Sequence, residues 1–155
     1  MEAFNTLLQY CYSTIEGGAV YVDTSSTVTF TNCDIGNSIS NSAGGLYCSG
    51  SICTINNSSI SQNSGDNNGG GIVVGYGASL EMNHCEMSRN QAETGGAIAM
   101  LTYESLILRD TYFYLNGATR GGVISFYIES ATSEAQYIEP IVSNLLFAEN
   151  RADIG

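Results

Sequence analysis

Two acidic side chains at equivalent places in the sequence are the first candidates for catalysis. Asp34 and Glu86 occupy the same position of two similar segments, and Ser59 occupies it in the segment between them. If these segments stack as paired strands, the two carboxyl groups lie two strands apart, about 9.6 Å. That separation is at or beyond the wide limit for the paired carboxylates of an inverting glycoside hydrolase. No arginine or lysine neighbours this column closely in the alignment, so we expect no catalytic residue.

The only histidine, His84, is the next candidate, either as a general base or as a metal ligand. It occupies a position that holds asparagine or aspartate in the other segments of the chain. No histidine or cysteine set stands near it at the spacing that zinc sites use. The sequence also contains no EF-hand loop and no nonapeptide calcium repeat. We interpret His84 as a turn residue and expect neither a metal site nor a cofactor.

The five cysteines leave at least one thiol unpaired. Cys48 and Cys53 flank a short connection, and the sequence is compatible either with a disulfide between them or with two free thiols. A disulfide would favour an oxidising compartment. Cys33 and Cys85 occupy equivalent positions two segments apart, which places their Cα atoms beyond the roughly 7 Å that a disulfide spans. We expect these two to be small, buried thiols.

All of these residues belong to an internal repeat. Glycine pairs recur every 25 to 27 residues, each before a short β-rich run such as GGAVYV or GGIVVG. The pairs lie at 17/18, 44/45, 70/71, 95/96 and 121/122. A second segment in each repeat contains two apolar positions five residues apart, for example Phe30 and Ile35. This offset indicates a strand, a tight turn and another strand.

Two polar columns accompany these strands. The first column consists of residues that suit a turn, because most of them tolerate left-handed backbone and bond their own main chain. Its members are Asn5, Asn32, Asn57, His84, Asp110 and Asn144. The second column ends the next strand. It comprises Asn63, Asn90, Asn116 and Asn150, with Ser38 and Cys11 in the equivalent places of the first two repeats.

These periods predict an all-β fold, a right-handed parallel β-helix of about five coils, with 25–27 residues and three short strands in each coil. One coil cannot bury its apolar side chains, whereas stacked coils form a continuous core. We expect residues 1–155 to be a single β-helix fragment, truncated mid-coil at both ends. The last coil is longer because of a loop insertion at 129–139, which is either a tolerated surface loop or part of a binding face.

The charge of the chain limits its partners. The sequence contains 15 acidic residues, 4 arginines and no lysine, for a net charge of -11. Nucleic acids and anionic lipid headgroups are therefore poor partners, since their recognition needs clustered cations. No apolar run of about 18 residues is present, so we expect no membrane-spanning segment. Residues 1–16 lack the basic start and the long apolar stretch of a signal peptide.

Two surface features bear on location and binding. Asn56 begins the sequon Asn56-Asn57-Ser58 and is a possible glycosylation site if the chain enters a eukaryotic secretory route. Tyrosines are frequent, and their rings either pack in the core and in stacked ladders or hold a sugar or a protein partner. The candidates are Tyr10, Tyr12, Tyr21, Tyr47, Tyr76, Tyr103, Tyr112, Tyr114 and Tyr127.

The repeat motifs carry a family resemblance that covers nearly the whole chain. GGAV at 17–20 and GGAI at 95–98, together with FYLN at 113–116 and FAEN at 147–150, resemble the GGA-hydrophobic and FxxN repeats of polymorphic outer membrane proteins. Those repeats occur in chlamydial autotransporters and in related surface proteins of some protists. The resemblance implies a surface β-helix that acts in adhesion, but no particular binding residue, because the motifs are scaffold positions.

We therefore expect a non-catalytic adhesive or structural β-helix at the cell surface or in secreted form. Its expected partners are neighbouring coils of a longer chain or stacked copies, with a protein or a glycan as ligand. The alternative is a fragment of a polysaccharide lyase or glycoside hydrolase of the β-helix type. A pair of carboxylates in a cleft, or a bound cation, would favour the enzyme.

Overall fold

The computed structural model describes residues 1–101, 105–127 and 140–154. Within these ranges the chain consists of 22 β-strands joined by tight turns. These ranges include no helix long and apolar enough to cross a membrane. The predicted insertion at 129–139 and Tyr103 lie outside the described residues. The paired strands run parallel throughout, as an all-β solenoid requires.

The strands form four parallel sheets, numbered here in the order in which each coil visits them. Sheet 1 contains β1 (Glu2–Phe4), β4 (Thr27–Thr31), β8 (Ile52–Asn56), β12 (Ser79–Asn83), β16 (Ser105–Arg109) and β20 (Ile141–Ser143). Sheet 2 contains β2 (Leu7–Gln9), β5 (Asp34–Gly36), β9 (Ser59–Ser61), β13 (Glu86–Ser88), β17 (Tyr112–Tyr114) and β21 (Leu146–Ala148). Sheet 3 contains β6 (Ile39–Ser42), β10 (Ser64–Asn68), β14 (Gln91–Thr94), β18 (Gly117–Arg120) and β22 (Arg151–Ile154). Sheet 4 contains β3 (Val20–Val22), β7 (Leu46–Ser49), β11 (Ile72–Gly75), β15 (Ile98–Met100) and β19 (Ile124–Phe126).

A full coil thus holds four strands, and the expectation of three was wrong. The strands that escaped prediction are those of sheet 3, where the buried or half-buried positions hold small or polar residues. Those positions are Ser40, Gly65, Ala92 and Ala118. Without large apolar side chains, these segments lack the alternation that identifies a half-buried strand.

The core runs along the inside of the solenoid as columns of aligned side chains. In sheet 1, Phe30, Ile55, Met82 and Leu108 are in register and fully buried. In sheet 2, Ile35, Ile60, Met87 and Phe113 are likewise in register and fully buried. Burial of one such side chain contributes roughly 1.5–3 kcal/mol. The predicted columns and their offset of five residues are confirmed.

The corner between sheets 3 and 4 is the most regular part of the coil. Gly17, Ala43, Gly69, Gly95 and Gly121 adopt left-handed backbone with φ of 53° to 66° and lie 26 residues apart. The predicted alignment of glycine pairs was therefore one residue out in two coils, because Ala43 and Gly69 occupy the left-handed position there. At the next position, a side chain on Gly70 would clash with the main chain of Gln91 and Gly96 in the following coil.

Two local irregularities explain why the sequence period varied. The first irregularity is at the corner that leads from sheet 4 to sheet 1. Cys48 pairs with Val74 and Cys53 pairs with Leu80, and all four side chains face the core. The segment between Cys48 and Cys53 is one residue shorter than the segment between Val74 and Leu80 in the next coil. Strand β10 has an extra residue, and its pairing shifts register between Gly65 and Asn68. The scaffold absorbs such changes at corners and in sheet 3 and keeps the core columns aligned.

Candidate binding groove

The predicted turn column lies at the corner between sheets 1 and 2. Its six residues, from Asn5 to Asn144, have left-handed backbone with φ between 47° and 54°. Neighbouring members contact one another: Asn32 Nδ2 donates to Asn5 Oδ1 at 3.3 Å, and Asn144 Nδ2 donates to Asp110 Oδ1 at 2.8 Å. Stacked polar side chains at a repeated left-handed corner are what the residue types suggested.

His84 occupies the same left-handed position as its neighbours in this column. Its side chain is 67% exposed, and Nε2 lies 3.6 Å from Asp110 Oδ2. Among the described residues, no group of three or more histidine, cysteine, aspartate or glutamate side chains is arranged to hold a metal ion. The geometry places His84 in a turn, with an exposed contact to a carboxylate.

A small hydroxyl or thiol follows each turn residue in five of the coils and forms a second ladder. Cys33, Ser58 and Cys85 each donate to the carbonyl oxygen two residues earlier, and Thr6 and Thr111 do the same. Cys33 and Cys85 are free and buried, with Ser58 between them. Burial raises the pKa of the Cys85 thiol above its ordinary value. These thiols act as small hydrogen-bonding core residues.

The acidic column lies on the outer face of sheet 2, beside the turn column. Asp34 and Glu86 both pair in register with Ser59, so they lie on strands two coils apart. Gln9 Nε2 donates to Asp34 Oδ2 at 2.9 Å, and Asp34 Oδ1 has no hydrogen-bond partner within the described residues. Together with His84 and Asp110 these acids line a shallow, open, polar depression.

The second asparagine column is internal. Asn63, Asn90 and Asn116 are almost fully buried. Asn90 Nδ2 donates to the Ile60 carbonyl at 2.8 Å and to Asn116 Oδ1 at 3.0 Å. Asn90 Oδ1 in turn accepts from the main-chain N–H of Asn63 at 3.1 Å. Asn150 continues the ladder towards one end, and Ser38 towards the other. The column is therefore a structural feature of the scaffold, in which buried amides satisfy the turn main chain.

A column of left-handed residues that sequence reasoning missed stands just before this ladder. Its φ values lie between 52° and 57°, and its members are Tyr10, Asn37, Gln62, Arg89, Leu115 and Glu149. Their residue types share no turn preference, so no sequence signal was available. The stacking of the neighbouring coils imposes the conformation.

Two further predicted sites have clear positions. Cys48 and Cys53 are joined by a disulfide, with both residues buried against the core. Asn56 lies on the outer face of sheet 1 between Thr31 and Asn83, and its Oδ1 accepts from Asn83 Nδ2 at 3.1 Å. The possible glycan acceptor is thus part of a polar ladder on a strand.

The outer face of sheet 4 holds a second apolar cluster, which sequence reasoning missed although it includes the candidate tyrosine Tyr47. Tyr47, Val73 and Ala99 are in register on this face, yet all three are buried, and Leu101 packs against them. The strands have the sequences LYCS, IVVG and IAM, in which inward and outward positions are equally apolar. A run of strands without polar outward residues is the signal that could have revealed this face.

Tyrosines and polar side chains turn this face into a groove that runs along the solenoid axis. Next to this face, the ring of Tyr21 stacks on the ring of Tyr47, with centroids 5.4 Å apart. Further along, a cavity of about 470 Å³ is lined by Asn68, Tyr76, Thr94, Leu101, Arg120, Ser125, Phe126 and Tyr127. A neighbouring cavity shares Asn68, Tyr76 and Leu101 and extends to Glu16 and Tyr47. We call the two together the aromatic groove.

The polar wall of the aromatic groove is one column of sheet 3. Glu16, Ser42, Asn68, Thr94 and Arg120 are in register from coil to coil. Five members at about 4.8 Å per coil give a wall about 19 Å long. On the floor, burial and then the nearby charge of Glu16 raise the pKa of the Tyr47 hydroxyl far above its ordinary value. Tyr47 is therefore a neutral hydrogen-bond donor to Glu16 at all physiological pH values.

The electrostatics of the molecule disfavour anionic ligands. The four arginines of the chain all have partners: Arg109 is 2.8 Å from Glu81, Arg120 is 2.7 Å from Glu93, and Arg151 is 3.6 Å from Asp153. Arg89 lies over the Tyr114 ring, 5.7 Å from its centroid. In the aromatic groove, Asn68 and Thr94 are neutral, and the Arg120 charge next to Thr94 is paired with Glu93.

The four stacked parallel sheets and their internal ladders define a β-solenoid. The family described as "right handed beta helix region" matches residues 6–150, and the chain belongs to this family. No curated protein and no solved structure matches the chain.

Proposed function

We propose that this protein is a non-catalytic β-helix, exposed at the cell surface or secreted, that binds a ligand through the aromatic groove. The observation that carries the proposal is the second apolar cluster on the outside of sheet 4. This outward face buries Tyr47, Val73 and Ala99 and is bordered by exposed Tyr76 and Tyr127. It forms a concave site in which aromatic and apolar side chains alternate with polar groups, and ligand sites combine the same features.

The remaining architecture supports an adhesive or structural role. The internal amide and hydroxyl ladders hold the coils in register, and such solenoids provide long, rigid binding surfaces. The Cys48–Cys53 disulfide is consistent with an oxidising environment outside the cytosol. The GGA and FxxN repeats, which resemble those of surface adhesins, agree with that location.

The competing function is a polysaccharide lyase or glycoside hydrolase, and its candidate site is the polar depression on sheet 2. The orphaned oxygen of Asp34 and the nearby His84–Asp110 contact favour this site. Two features oppose it. Asp34 and Glu86 are separated by two coils, about 9.6 Å along the axis. No arginine lines this depression in the described part of the chain, although Arg89 lies over the Tyr114 ring on the same sheet.

Incubation of the full chain with polymers distinguishes the two functions. The substrates are xylan, hydroxyethylcellulose, polygalacturonate and alginate, and the measurements are new reducing ends and the absorbance of unsaturated products. We expect no product. Product release that is lost in Asp34→Asn or Glu86→Gln would refute the proposal and establish the enzyme.

Binding is measured separately by retention on the same immobilised polymers and on collagen and mucin. We expect at least one polymer or protein to retain the chain, and retention to fall in Tyr127→Ala. Retention that is unchanged in this variant would contradict the assignment of the aromatic groove.

A further inference from the structure

We infer that the ligand of the aromatic groove is a neutral saccharide chain that lies along the solenoid axis. This inference rests on the proposed function and specifies its ligand. It is carried by the combination of exposed tyrosine rings, a regularly spaced row of polar side chains and the pairing of Arg120, the cation at the groove, with Glu93.

The rings suit flat, partly apolar ligands. Tyr76 and Tyr127 both line the groove and are 66% and 56% exposed. They follow β11 and β19, which lie two coils apart, so a single ligand that contacts both must extend along the axis. Aromatic faces offer apolar area together with a polar edge, which matches the faces and hydroxyl groups of a sugar ring.

The polar wall repeats with the coil. Ser42, Asn68 and Thr94 present one hydroxyl or amide residue per coil, at intervals of about 4.8 Å. A polymer with hydroxyl groups on every unit can meet such a row with one hydrogen bond after another. An extended peptide is a poorer match along most of the groove, because β7, β11 and β15 are each paired on both sides and offer no free edge for strand addition. Among the described strands of sheet 4, only β3 and β19 are edge strands.

The charges select against acidic sugars. Arg120, the cation at the groove, is paired with Glu93 at 2.7 Å, and its Nη2 donates to Thr94 Oγ1 at 3.5 Å. Glu16 stands at the opposite end of the groove, and the whole chain carries a net charge of -11. A uronate polymer would meet repulsion along this surface, whereas a neutral polymer would not.

Affinity electrophoresis of the full chain tests the inference. Native gels contain xylan, hydroxyethylcellulose or mannan as neutral probes, and polygalacturonate as the acidic probe. We expect retardation by at least one neutral polymer, with little dependence on salt because no counterions are released. Polygalacturonate should not retard the chain.

Variants locate the site. Tyr127→Ala should weaken the retarding interaction about three- to tenfold, as expected for the loss of one stacked ring. Tyr76→Asn should do the same while preserving the left-handed backbone at that position. Tyr12→Ala is the matched control, because Tyr12 is 74% exposed and lies outside the groove. It should bind like the wild type.

Two results would overturn the inference. The first is that no neutral polymer retards the chain, whether or not polygalacturonate does. The second is that a neutral polymer retards Tyr127→Ala and Tyr76→Asn as strongly as it retards the wild type. Binding to collagen or mucin without any neutral polysaccharide would refute the saccharide assignment and leave the proposed function standing. Release of shortened chains or unsaturated products would refute the proposed function itself.

Discussion

The internal asparagine ladder provides the sharpest test of how the coils are held together. Asn90 is fully buried and has partners in both neighbouring coils. In Asn90→Ala the main-chain N–H of Asn63, itself 1% exposed, loses its acceptor. A buried donor left without a partner costs about 1–3 kcal/mol, and the lost side-chain bonds to Ile60, Asn116 and Asn63 cost about 1 kcal/mol each. We therefore expect Asn90→Ala to lower the free energy of unfolding by about 4–6 kcal/mol.

The chain itself suggests a partial rescue. Ser38 occupies this column in an earlier coil, where its Oγ accepts from the main-chain N–H of Cys11 at 3.2 Å. Asn90→Ser keeps a similar acceptor and loses the amide donor, so its cost should be about 1–2 kcal/mol. Urea unfolding followed by circular dichroism measures these values. Gln91→Ala, at an exposed site of sheet 3, is the control and should change stability by less than about 0.5 kcal/mol.

The reasoning fails if Asn90→Ala lowers the free energy of unfolding by less than about 1 kcal/mol, because the ladder would then contribute little to stability. It also fails if Asn90→Ser is as destabilising as Asn90→Ala. In that case the size of the cavity, and not the stranded N–H, would determine the loss.

Three further predictions concern the disulfide, the turn column and alkaline pH. Thiol titration of the denatured chain should find three free thiols, those of Cys11, Cys33 and Cys85, and a count of five would contradict the disulfide. Because the disulfide closes a short loop, Cys53→Ser should lower the free energy of unfolding by about 2 kcal/mol. His84→Asn should leave urea stability nearly unchanged, whereas His84→Val should cost about 1–2 kcal/mol, since valine resists left-handed backbone; equal costs would contradict the turn role. In the folded protein the pKa values of Tyr47 and Cys85 are raised above their ordinary values of 10.0 and 9.0. The stability that these two groups contribute is therefore complete below those values and is lost as the pH rises further. An increase of the urea midpoint with pH, measured above pH 9.0, would contradict this sign.

The core and the first turn column could be predicted because each coil obeys the same local rule. Phe30 and Ile35 mark two inward positions around a tight turn, and every later coil repeats that spacing with another apolar pair. Asparagine and aspartate at the turn supply the left-handed backbone, so His84 could be assigned by its place in the column alone. Burial and turn chemistry act locally, and a sequence records both.

The parts that escaped prediction depend on contacts between coils. Leu115 and Glu149 have no intrinsic preference for left-handed backbone, yet they adopt it because the stacked corner requires it. Ala43 takes the place of a glycine for the same reason, which shifted the predicted glycine alignment by one residue. The aromatic groove draws Asn68, Tyr76 and Tyr127 from separate coils, and no short motif links them.

The central claim is that ligand binds at the aromatic groove and not at the polar depression of sheet 2. NMR spectroscopy of the ¹⁵N-labelled full chain, titrated with neutral oligosaccharides of xylose, glucose or mannose, tests it most directly. We predict that the amide shifts that change will cluster at Asn68, Tyr76, Thr94, Leu101 and Tyr127. Shifts concentrated at Asp34, Ser59, His84 and Glu86 would contradict the account and point to the sheet 2 face as the site.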